Sequence, residues 1–235
     1  MLEVGAGLGS LTLALAATGA EVVAVEVDTR LLPALEEAVS GLDGVRLVGN
    51  DAMVADWGDV LGTAVGPWVM AANLPYNLAV PIVMRALETE PRLERFLIMV
   101  QKEVGERLVA APGDDAYGAV SVRLAYWAEA KMKKRVPRTV FWPQPNVDSV
   151  LVSLVRRPPP VTVAREALWR MIEVSFGQRR KTMRGALVRL GLSSVDAART
   201  LAICGVDPRT RPERLGLESF ARLAELALGE GRSRP

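Results

Sequence analysis

The chain has few of the residues on which much enzyme chemistry depends. It contains no histidine, one cysteine (Cys204) and only 5% aromatic residues among its 235 positions. The lack of histidine excludes Ser-His-Asp and Cys-His nucleophilic mechanisms and removes the commonest ligand of catalytic zinc, so we expect no metal site. A lone cysteine cannot form an internal disulfide. Because Cys204 follows the apolar residues Leu201, Ala202 and Ile203, we expect it to be a small core residue.

Long apolar runs are also absent. No stretch approaches the roughly 18 apolar residues of a membrane-spanning helix, and the amino terminus lacks the pattern of a secretory signal. We therefore expect a cytoplasmic protein and take it to be a monomer. The net charge is +2, but 15 basic and 19 acidic residues precede Pro159, whereas 14 and 8 follow it. The basic carboxy-terminal third is typical of a polyanion-binding surface, with solvated helix faces as the alternative.

The pattern of apolar residues predicts an α/β fold of the Rossmann-like kind followed by a small all-helical domain. Predicted strands cover residues 2–4, 21–27, 45–48, 68–72, 96–100, 131–136 and 149–155. Only a proline-rich segment separates the last two, so they should pair antiparallel at one edge of the sheet. The run Arg156-Arg157-Pro158-Pro159-Pro160 ends the sheet, and helix-like segments follow at residues 164–176, 181–190, 195–204 and 217–228. The expected domains are residues 1–157 and 161–235.

The first predicted strand leads into the glycine-rich motif Glu3-Val4-Gly5-Ala6-Gly7-Leu8-Gly9. Such glycines allow a tight turn and a close approach of the backbone to a ligand. The spacing differs from the dinucleotide fingerprint because Ser10 stands where its third glycine would be, which disfavours a nicotinamide-dependent oxidoreductase. Glu26, at the end of the second strand, is placed to accept hydrogen bonds from ribose hydroxyls. Asp51, in Asn50-Asp51-Ala52, could accept one from an adenine amine, although Asn-Asp is also an ordinary helix cap.

The motif Asn73-Leu74-Pro75-Tyr76 follows the fourth predicted strand, where ligands collect in open α/β sheets. An exocyclic adenine amine is a weak nucleophile because its lone pair is delocalised into the ring. The Asn73 side-chain oxygen and a main-chain carbonyl at Leu74 or Pro75 can each accept one N6 hydrogen and turn the lone pair toward a methyl donor. Tyr76 can stack on the base, and Phe141 could clamp its other face. A plain turn and ordinary core aromatics are the alternatives.

These motifs resemble those of the ribosomal RNA adenine N6,N6-dimethyltransferases, and within them the small-subunit branch, the KsgA/RsmA family. The resemblance runs almost end to end and includes Asn73-Leu74-Pro75-Tyr76-Asn77, Gln101-Lys102-Glu103-Val104, the 141–149 segment, Phe176-Gly177-Gln178-Arg179-Arg180-Lys181-Thr182 and Arg211-Pro212-Glu213-Arg214-Leu215. It implies a class I methyltransferase sheet, S-adenosylmethionine as methyl donor, and two adjacent adenosines near the 3′ end of small-subunit RNA, within an assembling 30S particle, as substrate. The Erm branch, which methylates large-subunit RNA, and a non-catalytic RNA-binding assembly factor are the alternatives.

Residue types and the resemblance together predict three sets of site residues. The predicted cofactor contacts are Glu3, Gly5, Ala6, Gly7, Gly9, Glu26, Val27, Asp51, Ala52 and Asn73. The predicted catalytic residues are Asn73, Leu74, Pro75, Tyr76 and Phe141. The predicted RNA contacts, chosen because cations neutralise phosphates, are Lys133, Lys134, Arg135, Arg179, Arg180, Lys181 and Arg184.

The resemblance also implies a segment ahead of the glycine motif, with a Gln-x-Phe-Leu signature that packs over the bound cofactor. Met1 here lies inside the first predicted strand. The chain thus resembles an amino-terminally truncated member that lacks this lid, and we expect weak cofactor affinity for the chain as printed.

Overall fold

The computed structural model describes residues 1–178 and 181–229 and confirms the predicted fold class. Each predicted strand is present, with bounds that differ by a few residues at most. The strands are β1 (Leu2–Val4), β2 (Val22–Glu26), β3 (Val45–Gly49), β4 (Trp68–Asn73), β5 (Leu93–Gln101), β6 (Ala128–Val136) and β7 (Ser149–Arg156). Together they form one seven-stranded sheet with the order β3-β2-β1-β4-β5-β7-β6.

Helices separate the parallel strands of this sheet. β1 lies parallel to β2 and β4, and the pairs β2–β3 and β4–β5 are also parallel. Parallel neighbours need crossover connections, commonly helical, and here the connections contain α1 (Ser10–Ala16), α2 (Leu32–Val39), α3 (Trp57–Leu61) and α4 (Ala79–Thr89). Strand β2 is buried along its whole length, which explains its continuous apolar run.

The last two strands lie together at one edge of the sheet, as predicted. β7 runs antiparallel to β5, with Val152 opposite Ile98, and β6 lies beyond β7. The Ser153 hydroxyl of β7 donates to the Lys131 carbonyl of β6 over 3.4 Å, and Asp148 bonds Arg135. The residue number rises from Lys131 to Arg135 on one side of these contacts and falls from Ser153 to Asp148 on the other, as it does between antiparallel strands.

Five of the six remaining helices contribute buried residues to a second core. They are α6 (Ala119–Trp127), α7 (Arg165–Phe176), α8 (Met183–Arg189), α9 (Ser194–Ile203) and α10 (Leu217–Leu228). Helix α5 (Lys102–Val109) directly follows β5, and 3-10 turns lie at Arg138–Val140 and Pro212–Arg214. Phe220, Leu168 and Leu187 are completely buried in this second core. Cys204 packs against it half-buried, in keeping with the structural role expected for it, and burial raises the pKa of its thiol.

The chain divides into two compact units. One comprises residues 1–105 and 129–156, and the other comprises residues 106–128 and the described residues from 157 onward. Residues 106–128 lie before β6 in sequence, yet Val122 and Tyr126 of α6 are buried in the same cluster as Leu168 of α7. The assignment of residues 1–157 to a methyltransferase domain and 161–235 to an RNA-binding domain stays a prediction.

Helix length in this fold is modest. The longest helices in the described ranges, α7 and α10, have 12 residues each. None of the helices there is both long enough and apolar enough to cross a membrane.

Candidate active site

The strand order of the sheet reverses between β1 and β4, and the glycine-rich motif and the motif that begins at Asn73 meet at this point. β1 has β2 on one side and β4 on the other, all parallel, so their carboxyl ends lie at the same edge. The glycine loop follows β1 directly, and the segment from Leu74 follows β4 directly. Ligands of open α/β sheets bind at such a point, where the strand order reverses.

All three glycines of the loop have positive φ angles, which other residues rarely adopt, and at two of them a Cβ would also meet neighbouring atoms. Gly5 has φ +77°, and a Cβ there would lie 3.7 Å from the Asn73 carbonyl oxygen and fill the space between the two motifs. Gly9 has φ +87°, and a Cβ there would come within 3.0 Å of Leu35 on α2. The glycines therefore keep the loop close to Asn73 and to α2 while leaving room above the strand ends.

Glu26 holds the glycine loop from the end of β2. Its Oε2 accepts a hydrogen bond from the Gly7 N–H at 2.8 Å, and its Oε1 accepts one from the Asp28 N–H at 2.9 Å. The residue is only 7% exposed. Since an ionised carboxylate has about four acceptor sites, two remain for other donors. The next residue, Val27, is 61% exposed and offers apolar surface beside this carboxylate.

Glu3 is buried beneath the glycine loop and does not lie at the surface where a ligand would bind. It is 1% exposed, and it neighbours the buried Thr12 hydroxyl and Glu26. Burial raises the pKa of the Glu3 carboxyl, and the Glu26 charge adds to this, whereas the Thr12 hydroxyl acts in the opposite direction. The predicted cofactor contact of Glu3 stays a prediction, and its position beneath the loop indicates a supporting role.

The third strand delivers Asp51 and Ala52 to the same edge. The Asn50 N–H donates to the Glu26 carbonyl over 3.1 Å, which ties the end of β3 to the end of β2. Asp51 is half-buried and its Oδ1 accepts the Met53 N–H at 2.8 Å, while Ala52 is buried. The carboxylate thus shapes a local turn, as an ordinary cap does, and its second oxygen remains for a ligand.

A cavity of about 310 Å³ opens where β4 ends. It is lined by Asn73, Leu74, Pro75, Tyr76, Phe141, Trp142, Pro143 and Pro145. The structure therefore brings together all of the predicted catalytic residues. The cavity suits an aromatic base, because its lining combines the polar acceptor Asn73 with aromatic and proline side chains.

The main-chain hydrogen bonds of this motif distinguish its two candidate carbonyls. The Pro75 carbonyl already accepts the Leu78 N–H at 3.0 Å and the Ala79 N–H at 2.9 Å, which begin α4. The Leu74 N–H donates to Met99 of β5, and the Leu74 side chain is 1% exposed. A carbonyl has two lone pairs, so Pro75 is saturated. The Leu74 carbonyl is the main-chain acceptor that the described residues leave available.

Comparison with known proteins identifies the family. The sequence profile of the family "Ribosomal RNA adenine dimethylase" matches residues 1–228. A protein of Thermobifida fusca named "Ribosomal RNA small subunit methyltransferase A" is 47% identical over 96% of this chain and 79% of its own length. A protein of Moorella thermoacetica with the same name is 42% identical, covering 95% of this chain and 81% of its own length. The chain belongs to the ribosomal RNA adenine dimethylase family.

Solved structures of related enzymes have the same fold. A dimethyladenosine transferase from Plasmodium falciparum superposes with a TM-score of 0.76 at 22% identity, over 94% of this chain and 87% of that one. The 23S rRNA methyltransferase ErmE superposes with a TM-score of 0.71 at 26% identity, over 96% and 89% respectively. The seven-stranded sheet of this dimethylase is therefore a class I methyltransferase sheet.

The dimethylase uses S-adenosylmethionine, and the residues at the sheet edge fit this molecule. Bound there, it supplies an electrophilic methyl group on a positively charged sulfur. Gly5 has no side chain where it faces the Asn73 carbonyl oxygen, the acceptor sites of Glu26 that backbone N–H groups leave open suit ribose hydroxyls, and the exposed Val27 offers apolar surface to a purine. Among the described residues no group of three or more His, Cys, Asp or Glu side chains is arranged to hold a metal ion.

The segment that carries Phe141 is fixed to the sheet of the dimethylase at several points. The Tyr76 hydroxyl and Ser149 Oγ are 3.1 Å apart, within hydrogen-bond distance. Asp148 accepts from the Arg135 guanidinium and from the Arg138 N–H at 3.0 Å, and these hydrogen bonds, the one from Arg135 first, lower the pKa of its carboxyl. Sequence reasoning missed these roles of Asp148 and Ser149. Their only signal was their position at the start of the last strand.

The residues predicted to contact RNA differ in whether their positive charge is already paired with a carboxylate. Lys133 and Lys134 are exposed on β6, whereas Arg135 is ion-paired with Asp148. In the helical unit Lys181 is exposed, and Arg184 donates to the Ser194 hydroxyl over 2.6 Å. The remaining two, Arg179 and Arg180, lie outside the described residues.

Proposed function

We propose that this enzyme transfers methyl groups from S-adenosylmethionine to N6 of two adjacent adenosines in the 3′-terminal hairpin of small-subunit (16S) rRNA during ribosome assembly. The observation that carries the proposal is the cavity in which Asn73, the Leu74 carbonyl, Tyr76 and Phe141 converge beside the glycine loop. The relatives that are 42–47% identical are named for the small ribosomal subunit, which supports this substrate over the large-subunit alternative. The intact acceptor motif supports catalysis over RNA binding alone.

The geometry supplies two acceptors for the two hydrogens of an adenine N6 amine. Asn73 is exposed at the end of β4, and its side-chain oxygen can accept one hydrogen, while the Leu74 carbonyl accepts the other. This holds the nitrogen lone pair out of the ring plane and toward the glycine loop. Tyr76 and Phe141 hold the two faces of the base.

No strong base is required for the transfer. The N6–CH₃ bond forms as the CH₃–S bond breaks, and the bonding electrons go to sulfur, which becomes a neutral thioether. The proton of the resulting ammonium passes from N6 to water, because N-alkylation makes it acidic only after attack. A chain without histidine can perform this reaction. Removal of either acceptor should lower kcat more than it raises KM, because the contacts strengthen in the transition state.

We infer that the enzyme works as a monomer in the cytoplasm on the assembling 30S particle, with phosphate contacts from the cations of β6 and of the helical unit. The exposed side chains of Lys133, Lys134 and Lys181 support the phosphate contacts in this inference, because lysines near a nucleic acid neutralise its phosphates.

The test is labelled methyl transfer onto small subunits from cells that lack the modification, with mass spectrometry to locate the product. We expect dimethylation of two adjacent adenosines near the 3′ end. Asn73→Ala should abolish most of the transfer, and Val65→Ala, a change at a residue 98% exposed outside the cavity, should leave it intact. Methylation of large-subunit RNA, or no transfer with a properly folded enzyme, would refute the proposal.

A further inference from the structure

One tryptophan of this enzyme has almost no protein neighbours. Trp142 is 97% exposed, whereas Trp57 and Trp68 are 2% and 8% exposed. The half-buried Trp169 packs edge-to-face against Tyr126 in the helical unit, with ring centroids 5.0 Å apart. An indole that is open to solvent can stack on an aromatic ligand, and the surroundings of Trp142 decide whether it has one.

Trp142 stands at the mouth of the cavity that we assign to the target base. It lines that cavity together with Asn73, Tyr76 and Phe141, but Phe141 is half-buried while Trp142 points into solvent. The cavity already has two aromatic rings for one base. A further ring outside it can therefore serve a different base.

The chain around Trp142 is anchored, so its position is defined. Ser149 contacts the Tyr76 hydroxyl at 3.1 Å, and the Lys102 N–H donates to the Asp148 carbonyl at 2.9 Å. The Arg138 guanidinium donates to the Asn146 carbonyl at 3.2 Å, across the segment that contains Trp142. A ring on such a segment is prepared to bind without a large ordering cost.

The surface that leads to Trp142 is basic. Lys131, Lys133 and Lys134 are exposed along β6, and Arg138 is exposed in the turn before Val140, which is itself 63% exposed. Two acidic residues lie on this surface: Asp148, which is paired with Arg135, and Glu129, which is exposed at the start of β6, so the cations outnumber the unpaired carboxylates. Exposed aromatic rings among free cations are the combination that binds unpaired nucleic acid, where phosphates meet the cations and bases stack on the rings.

We propose that Trp142 is a stacking platform for the base next to the target adenosine. The inference rests on the proposed function, because it needs an RNA base in the cavity. Trp142 is then a positioning residue: it holds the neighbouring nucleotide unstacked from the hairpin and sets which adenosine enters the cavity. With two consecutive adenosines as substrate, the second stacks on Trp142 while the first is methylated.

The experiment compares the 235-residue enzyme with its variants Trp142→Ala and Trp142→Phe and with the matched surface control Val65→Ala. We expect W142A to raise KM for unmethylated small subunits by about 5- to 150-fold, the loss of one base–ring stack, with kcat changed far less. W142F should restore most of the affinity, and V65A should match the wild type. All four proteins should have equal Tm, because both positions are exposed.

A second readout reports the stack directly. Hairpin RNA carries 2-aminopurine at the nucleotide 5′ or 3′ of the target adenosine, with S-adenosylhomocysteine in the cofactor site. Its fluorescence should be quenched by the wild-type enzyme at one of the two positions and recover in W142A but not in V65A.

The outcomes separate this inference from the proposed function. Wild-type methylation with an unchanged KM and unchanged quenching in W142A would overturn the platform and leave the function intact. A loss of kcat at constant KM would place the indole at the reacting atoms instead, and a lower Tm would show that it packs on protein; both results contradict the platform. No adenosine methylation by the wild type would overturn both proposals.

Discussion

Replacing Glu26 by glutamine separates the support that this carboxylate gives the glycine loop from the ribose contact predicted for it. Glu26 supports the glycine loop through Gly7 and Asp28, with both oxygens accepting backbone N–H groups at 2.8 and 2.9 Å. The same oxygens are expected to accept ribose hydroxyls. In E26Q one oxygen becomes an NH₂ group, which cannot accept. One backbone N–H and one ribose hydroxyl then lose their acceptor.

The two losses have different sizes and different assays. A buried donor left without an acceptor costs about 1–3 kcal/mol, so the free energy of unfolding in urea should fall by that amount. A hydrogen bond to a charged group contributes about 1.5–3 kcal/mol, so the Kd for S-adenosylmethionine, measured by isothermal titration, should rise roughly 10- to 150-fold. Glu36→Gln, an equivalent change at an exposed position on α2, should alter neither quantity.

The combination of results is diagnostic. Wild-type affinity in a destabilised E26Q would refute the ribose contact and leave Glu26 as loop support only. Unchanged stability with weaker binding would refute the support role. Weak binding that is fully explained by unfolding at the assay temperature would show as a reduced fraction of active sites rather than a changed Kd.

Three further changes test other parts of the site. Burial raises the pKa of Glu3 above its ordinary value of 4.5, so the folded state holds this proton more tightly than the unfolded chain does. The free energy of unfolding should therefore be full below pH 4.5 and fall as the pH rises through the raised pKa. Urea unfolding at several pH values should show this fall in the wild type and not in E3Q. L74A should cost about 2–5 kcal/mol of unfolding free energy yet keep methyl transfer at temperatures where it is folded, because its main-chain carbonyl remains; a loss of kcat in folded L74A would contradict that assignment. Changing Lys133 and Lys134 to glutamine should reduce the salt dependence of RNA binding, with the slope of log Kobs against log salt concentration lowered by about 0.7–0.9 per lysine. R135Q should change this slope less, because Arg135 is paired with Asp148. Equal effects would show that the ion pair opens when RNA binds.

The sheet and its two main motifs could be predicted from local sequence. Short apolar runs fix strands, and the glycines at positions 5 and 9 fix a turn because their φ angles are positive. Each of these signals acts over a few residues, so no knowledge of the tertiary structure was needed. The order of the strands is not fixed by these local signals, because helical crossovers are compatible with more than one order; the structure supplies the order that brings Asn73 next to the glycine loop.

What could not be predicted depends on contacts between distant residues. Residues 106–128 group with the helical unit because α6 buries Val122 there, although their sequence neighbours belong to the sheet. The saturation of the Pro75 carbonyl depends on the exact start of α4. The pairing of Arg135 with Asp148 depends on the register of the last two strands. Charge and residue type alone gave no sign of any of these.

The closeness of Gly5 to the Asn73 carbonyl links the two halves of the reaction. The glycine loop directly follows β1 and Leu74 directly follows β4, so two neighbouring parallel strands set the distance between the loop and the motif. In the proposed reaction the loop receives the methyl donor and the motif receives the base, so the backbone sets how far apart they are held. This explains why the cavity is assembled from residues with little freedom, such as Pro75, Pro143 and Pro145. Orientation of the reactants supplies much of the rate in such a site, and here that orientation is a property of the sheet.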